Sequence, residues 1–267
     1  MVNEIICVIR KDTKEYIRSR KNVYFALALL AIGAFVLLTT MFFPSLISML
    51  SDKAPEMITD TKSLDSMMSN LFPTDVRGSL GIWASDVAIF YGIVVILMTQ
   101  GLIRKEIRSG KWIMPVASGY SKKTLLIAKC VVYGAGAAFP VFILSNVFYF
   151  ASSSILENNV GFSEVLTASV VLSITMAGIA VITILTSVLY RHSITAGLSM
   201  ILIVMAAPDV MTFFAFGKYL PTYLLTYVYS MSNNLTDLII PLFELIFIVL
   251  ALFAVSSRKI STMELSR

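Results

Sequence analysis

Charge is scarce in this chain. Of its 267 residues, 14% are Asp, Glu, Lys or Arg, while 57% are hydrophobic. A soluble core of this size needs no such apolar excess, and apolar runs of about 20 residues, the length that crosses a bilayer, recur along the sequence. Cysteine is scarcer still. Cys7 and Cys130 are the only two, which points away from a disulfide framework and from a thiolate metal site. The single histidine, His192, has no cysteine or carboxylate at ligand spacing and reads as a turn residue. No G-x-x-x-x-G-K-[ST] phosphate loop is present, and no charged segment is long enough to house a nucleotide-binding domain. No pairing of nucleophile and base is visible, so no catalytic activity is expected of the chain itself. Met49, Met57, Met67 and Met68 lack the tight spacing of a copper site, and neither a metal nor a nucleic-acid partner is expected.

The sequence instead alternates long apolar runs with short charged ones, an all-α integral membrane pattern in a single domain over residues 1–267. Residues 1–21 do not read as a signal peptide, because the charged region is long and no small-residue cleavage site follows. Val2, Ile5, Ile6, Ile9, Tyr16 and Ile17 share one side at helical spacing, with Glu4, Lys11, Lys14, Arg18 and Lys21 on the other. Such a helix lies flat in the membrane interface, its basic side attracted to anionic lipid by about 1 kcal/mol per Lys or Arg. Six spans are expected, at 23–43, 82–103, 125–151, 166–190, 194–215 and 238–256.

Between the first two spans, residues 44–81 read as a loop with Pro44, Pro55 and Pro73. Within it Leu64, Met67, Met68, Leu71 and Phe72 are spaced for a short helix on the outer leaflet. Pro140 should bend the third span, and Gly134, Gly136 and Ala138 give that span a small-residue face. Pro208-Asp209 should interrupt the fifth. The semi-apolar stretch that follows reads as a re-entrant or surface-lying pair of short helices. Seventeen of the 21 lysines and arginines fall on the side that holds both termini, which the positive-inside rule makes cytoplasmic.

A basic interruption between two long apolar runs spans Arg104–Lys129. Arg104, Lys105, Glu106 and Arg108 end one apolar run, Ser109-Gly110 breaks it, and a short apolar knot follows: Trp112, Ile113, Met114 and Val116. Ser118-Gly119 forms a second breaker before Lys122-Lys123 opens the next run. Apolar side chains in a charged loop expose costly area to water. Two explanations follow: a docking surface for a soluble protein, or an anchor in the headgroup layer.

The order of these parts resembles the membrane subunit of a type-2 ATP-binding-cassette (ABC) transporter. That family has an interfacial N-terminal helix, six spans, a cytoplasmic coupling helix between spans two and three, and a broken re-entrant pair between five and six. Glu106, Gly110, Ser121, Lys122 and Lys129 occupy the family's loop positions in register. There are two departures, both bearing on the length of the coupling helix: Gly119 stands where the family usually has proline, and Pro115 lies inside the helical part. The resemblance implies a permease of the plasma (inner) membrane working with a second permease chain and two copies of a separate ABC ATPase. ATP and Mg would be held on that ATPase, which would grip the knot Trp112–Val116, and a hydrophobic or amphipathic cargo, such as a peptide or lipid-like molecule, would be exported.

Three acids lie within or beside the apolar runs: Asp86, Asp209 and Glu244. A carboxylate there faces either a water-filled vestibule that receives cargo or a partner that fastens helix to helix. Two other functional classes share the six-span outline. One is a sensory or immunity subunit of an antimicrobial-peptide system. The other is an ATP-independent carrier or channel, against which the sequence offers no inverted repeat and no filter-like loop.

Overall fold

The computed structural model describes residues 2–53, 75–190, 192–213, 221, 223–230 and 236–263. These residues form helices and turns, and no strand occurs among them. In chain order the helices are α1 (Val2–Arg18), α2 (Lys21–Lys53), α3 (Val76–Asp86), a π-helical turn (Val87–Tyr91), α4 (Gly92–Thr99), α5 (Leu102–Arg108), α6 (Ile113–Ala117), α7 (Lys122–Ser153), α8 (Phe162–Leu189), α9 (Ser193–Phe213), α10 (Tyr223–Ser230) and α11 (Thr236–Thr262). Five stretches are long and apolar enough to cross a membrane: Lys21–Phe42, Val76–Arg108, Lys122–Ser153, Phe162–Leu189 and Leu238–Thr262. This is the architecture of a multi-pass membrane protein. The apolar stretch of α9, Ile194–Met205, is shorter than these five.

Several boundaries differ from those expected. Pro44 does not end the first long helix, because α2 continues to Lys53. The outer-leaflet helix expected around 64–72 lies outside the described residues. The second span begins at Val76 rather than 82, and its charged first turn is held by partners from the loop before α8 and from the first turn of α8. Asp75 caps α3 by accepting from the Gly78 amide (3.1 Å). Asn159 Nδ2 donates to the other Asp75 oxygen (2.6 Å), and Arg77 pairs with Glu164 (2.8 Å). This span is also not one smooth helix. It passes through the π turn and stops at Gln100–Gly101, where Gly101 has φ 71°. The Gln100 amide lies so close to α9 that a Cβ at Gly197 would come within 1.5 Å of its oxygen.

The helix α8 is the axis of the bundle, packed against α7, α11, α4, α10, α9 and α5. Exposed apolar side chains instead cover the outer faces of α2 and α11, such as Leu30 and Phe35 on the first and Phe243 and Phe247 on the second. Trp83 ties α3 to α7, stacking on Phe148 (centroids 4.8 Å apart) and donating from Nε1 to Ser145 Oγ (3.1 Å). The short helix α10 buries Leu224, Leu225 and Val228 and packs against α3 and α8. In α9 the helix runs through Pro208 and Asp209 to Phe213, so the expected interruption at Pro208 does not occur.

Pro140 has a specific consequence in α7. Proline has no N–H, so the carbonyl four residues earlier, on Gly136, loses its intrahelical donor. The Tyr16 hydroxyl of α1 donates to that carbonyl (3.3 Å), and the Tyr91 hydroxyl donates to the next one, on Ala137 (2.9 Å). Glycine is required at 136 for space, since a Cβ there would lie 2.6 Å from the Tyr16 ring. The small residues of α7 therefore do not form one face. Gly134 admits α8, where its nearest neighbour is Val181, and Gly136 admits α1. Tyr16→Phe should leave the Gly136 carbonyl without a donor and cost about 1–3 kcal/mol, read as a lowered midpoint of denaturant unfolding in detergent. Gly136→Leu should cost more by displacing α1.

Candidate functional site

The segment from α5 to the start of α7 folds as two short helices with matching ends. After α5, the amide of Gly110 donates to the Ile107 carbonyl (3.0 Å) and that of Lys111 to the Glu106 carbonyl (3.1 Å). After α6, the amide of Gly119 donates to Val116 (3.0 Å) and that of Tyr120 to Pro115 (3.1 Å). Each is a Schellman ending, which needs a residue in the left-handed region just past the helix. Gly110 (φ 72°) and Gly119 (φ 92°) supply it. The two Ser-Gly pairs are thus helix stops, and α6 is held to five residues between them. Ser121 then caps α7 by accepting from the Thr124 amide (3.0 Å).

Glu106, on α5, turns inward. Its Oε1 accepts from Lys129 Nζ (2.7 Å) and its Oε2 from the Trp112 indole N–H (3.0 Å). Lys129 also pairs with Asp12 Oδ1 of α1 (3.2 Å). All four side chains are buried. Three separate parts of the chain, α1, the α5–α6 hairpin and α7, therefore meet on one ammonium group. Lys111 adds a more exposed pair with Glu15. Lys122 Nζ donates to the Met263 carbonyl just past α11, which brings the end of α11 to the start of α7.

Trp112 was expected on an exposed knot and is instead buried, because its indole N–H reaches the Glu106 carboxylate beneath α1. Met114 is the residue left outside, 76% exposed, with Ile113 exposed at its side and Val116 half-buried. The N-terminal stripe is likewise divided. Tyr16 is buried, Ile5 and Ile9 are half-buried, and Ile6 and Ile17 are exposed. The side of α1 that packs on α7 is Val8, Asp12 and Tyr16, about a quarter-turn from the centre of the apolar stripe. Asp12 was not singled out by the sequence. Its signal was an acid at four-residue spacing between Val8 and Tyr16. Lys21 belongs to α2 rather than to the polar side of α1, and it donates to the Tyr133 hydroxyl (3.1 Å).

A cavity of about 420 Å³ opens between α1 and the α5–α6 hairpin, lined by Asp12, Glu106, Lys129, Trp112, Met114 and others. One Asp12 oxygen, Oδ2, is buried there without a hydrogen-bond partner. Burial is the largest influence on Asp12 and raises its carboxyl above the ordinary range. Lys129 opposes this, and the neighbouring carboxylates Glu106 and Glu15 add to it. The Lys111 hydrogen bond holds Glu15 below its ordinary value.

Asp86 is half-buried at the junction of α3 with the π turn, and Glu244 is half-buried on α11. Asp209 lies on α9, its side chain outside the described residues. Among the described residues no group of three or more His, Cys, Asp or Glu is placed to hold a metal ion. Cys7 is exposed and Cys130 buried, both as free thiols. Comparison with protein-family models, with curated proteins and with solved structures finds no match for this chain.

Removing the shared cation should be the most damaging single change at this site. Lys129→Ala leaves two buried carboxylates uncompensated and should cost about 3–5 kcal/mol, with Asp12→Asn in the same chain recovering part of it. Alone, Asp12→Asn should flatten the pH profile of stability. A carboxyl raised in the folded state binds its proton more tightly there, so its contribution is full below the ordinary aspartate value of 3.8 and is lost as pH rises through the folded value. Melting curves in detergent across that range check both.

Proposed function

We propose that the chain is the membrane-spanning permease subunit of a type-2 ABC exporter, driven by a separate ATPase. It moves a hydrophobic or amphipathic cargo out of the cytoplasm and works with a second permease chain. The observation that carries this reading is the α5–α6 hairpin. It is closed at both ends by glycine stops, fixed from below by the Glu106–Lys129–Asp12 cluster, and presents Met114 and Ile113 outward. A rigid, short helix with an adaptable methionine at its tip suits a groove on a soluble partner. Glu106, Gly110, Ser121 and Lys129 then act as scaffold, and the contact itself narrows to Ile113 and Met114.

In this reading α9 is the fifth of six spans, and α10 is one member of a re-entrant pair. The end carrying α1, the hairpin and the end of α11 faces the cytosol. ATP and Mg bind on the partner, whose closure pushes on α6. The push reaches α7 directly through Lys129, because α6 and α7 share that cluster. It reaches α4 only across the break at Gln100–Gly101.

Two experiments test this. Met114→Glu should leave the melting point and membrane insertion unchanged. The same substitution should remove at least nine-tenths of the Mg-ATP hydrolysis that co-purifies with the tagged chain. Hydrolysis equal to wild type would sink the proposal. For orientation, a membrane-impermeant maleimide should label Cys7 in inverted vesicles and not in intact cells; the opposite pattern reverses the topology.

A further inference from the structure

One group of cations takes no part in the Lys129 cluster. Arg104 and Arg108 stand one turn apart on the side of α5 turned away from Glu106, with Lys105 beside them. Together with Ser109 and His192 they line a second cavity of about 440 Å³, and no acidic residue is among its described lining. Arg104 Nε donates to the Ser187 carbonyl near the end of α8 (3.0 Å), which fixes this wall against the α8–α9 turn. Lys105 and Arg108 add two further positive charges to the same wall, and a hollow lined by one sign of charge draws an anion. The planar guanidinium is matched to phosphate geometry better than any other side chain.

Gly101 and Ile194 complete the described lining, and Ile194 begins an apolar ridge. Ile194, Leu198 and Leu202 follow at four-residue spacing along α9, all exposed. A basic hollow at the head of an apolar ridge has the same layout as a membrane lipid, with a charged head above a hydrocarbon chain.

We propose that this cavity binds a phosphate group, that of an acidic phospholipid whose acyl chain lies along the α9 ridge. The site uses none of the surface assigned to the ATPase and holds whether or not that assignment does. His192, a turn residue in the sequence, becomes a wall of the headgroup site.

The test uses the purified full chain in detergent. Its melting point is titrated with phosphatidylglycerol, with phosphatidylcholine and with inorganic phosphate. The variants are Lys105→Gln with Arg108→Gln, and a control with Lys123→Gln and Arg258→Gln, exposed basic residues outside the cavity and off α1. Phosphatidylglycerol should stabilise the wild type and the control alike. Binding should weaken ~fivefold per neutralised cavity charge, roughly 25-fold for the pair, while phosphatidylcholine has no effect. Should the paired variant melt early without lipid, Lys105→Gln alone carries the test, with the fivefold loss. Stabilisation by inorganic phosphate alone, abolished in the cavity variant, supports the same site with a soluble source of the phosphate. Equal weakening in both double variants, or equal stabilisation by phosphatidylcholine, overturns the proposal, since either marks diffuse attraction to a surface.

Discussion

A single ammonium group, that of Lys129, holds α1, the α5–α6 hairpin and α7 together. It lies between the carboxylates of Glu106 and Asp12, and all three are buried. Burying an ion pair is worth little by itself, but leaving one member unpaired is expensive, so each of the three segments is bound to the presence of the others. The indole of Trp112 joins the same carboxylate and draws α6 down onto it. Position and tilt of the hairpin are therefore set by charge satisfaction together with the burial of Leu102 and Ile103 on α5, which packs on α8.

A second lock lies about two turns further along α7, where Pro140 strands the Gly136 carbonyl and Tyr16 supplies the missing donor. The helix α1 is thus fastened to α7 at Asp12 and again at Tyr16, one turn apart on its own axis. Two fastenings on matched turns make α1, α7 and the hairpin one rigid body. The second membrane stretch has the opposite character, interrupted by a π turn and by the break at Gln100–Gly101. Stiffness on one side of the hairpin and compliance on the other are what the proposed push on α6 requires.

The sequence made the glycine stops legible, because Ser109-Gly110 and Ser118-Gly119 carry their conformational meaning locally. The Ser121 cap was not read, because the apolar run that marks the third span starts only at Leu125. Trp112 was misread as surface because an aromatic in a charged loop looks stranded until its hydrogen-bond partner, six residues earlier on another helix, is placed beneath it. Asp12 was passed over because an acid among the four basic residues of α1 looks like ordinary solvation. Pro44 and Pro208 looked like helix ends. Proline costs a helix one donor, and a long apolar helix can absorb that loss where packing or neighbouring groups compensate.

Composition and apolar run length alone determined that the chain is helical and multi-pass, since a bilayer leaves a polypeptide few other ways to satisfy its backbone. Local residue chemistry determined where the hairpin stops. The tertiary structure decided which charges meet, which face of α1 is inward, and which apolar residue of the hairpin is left outside. Those outcomes depend on contacts between residues as far apart as Asp12 and Lys129. No local pattern encodes such a contact, because the energy of a buried charge depends on what the fold brings to it.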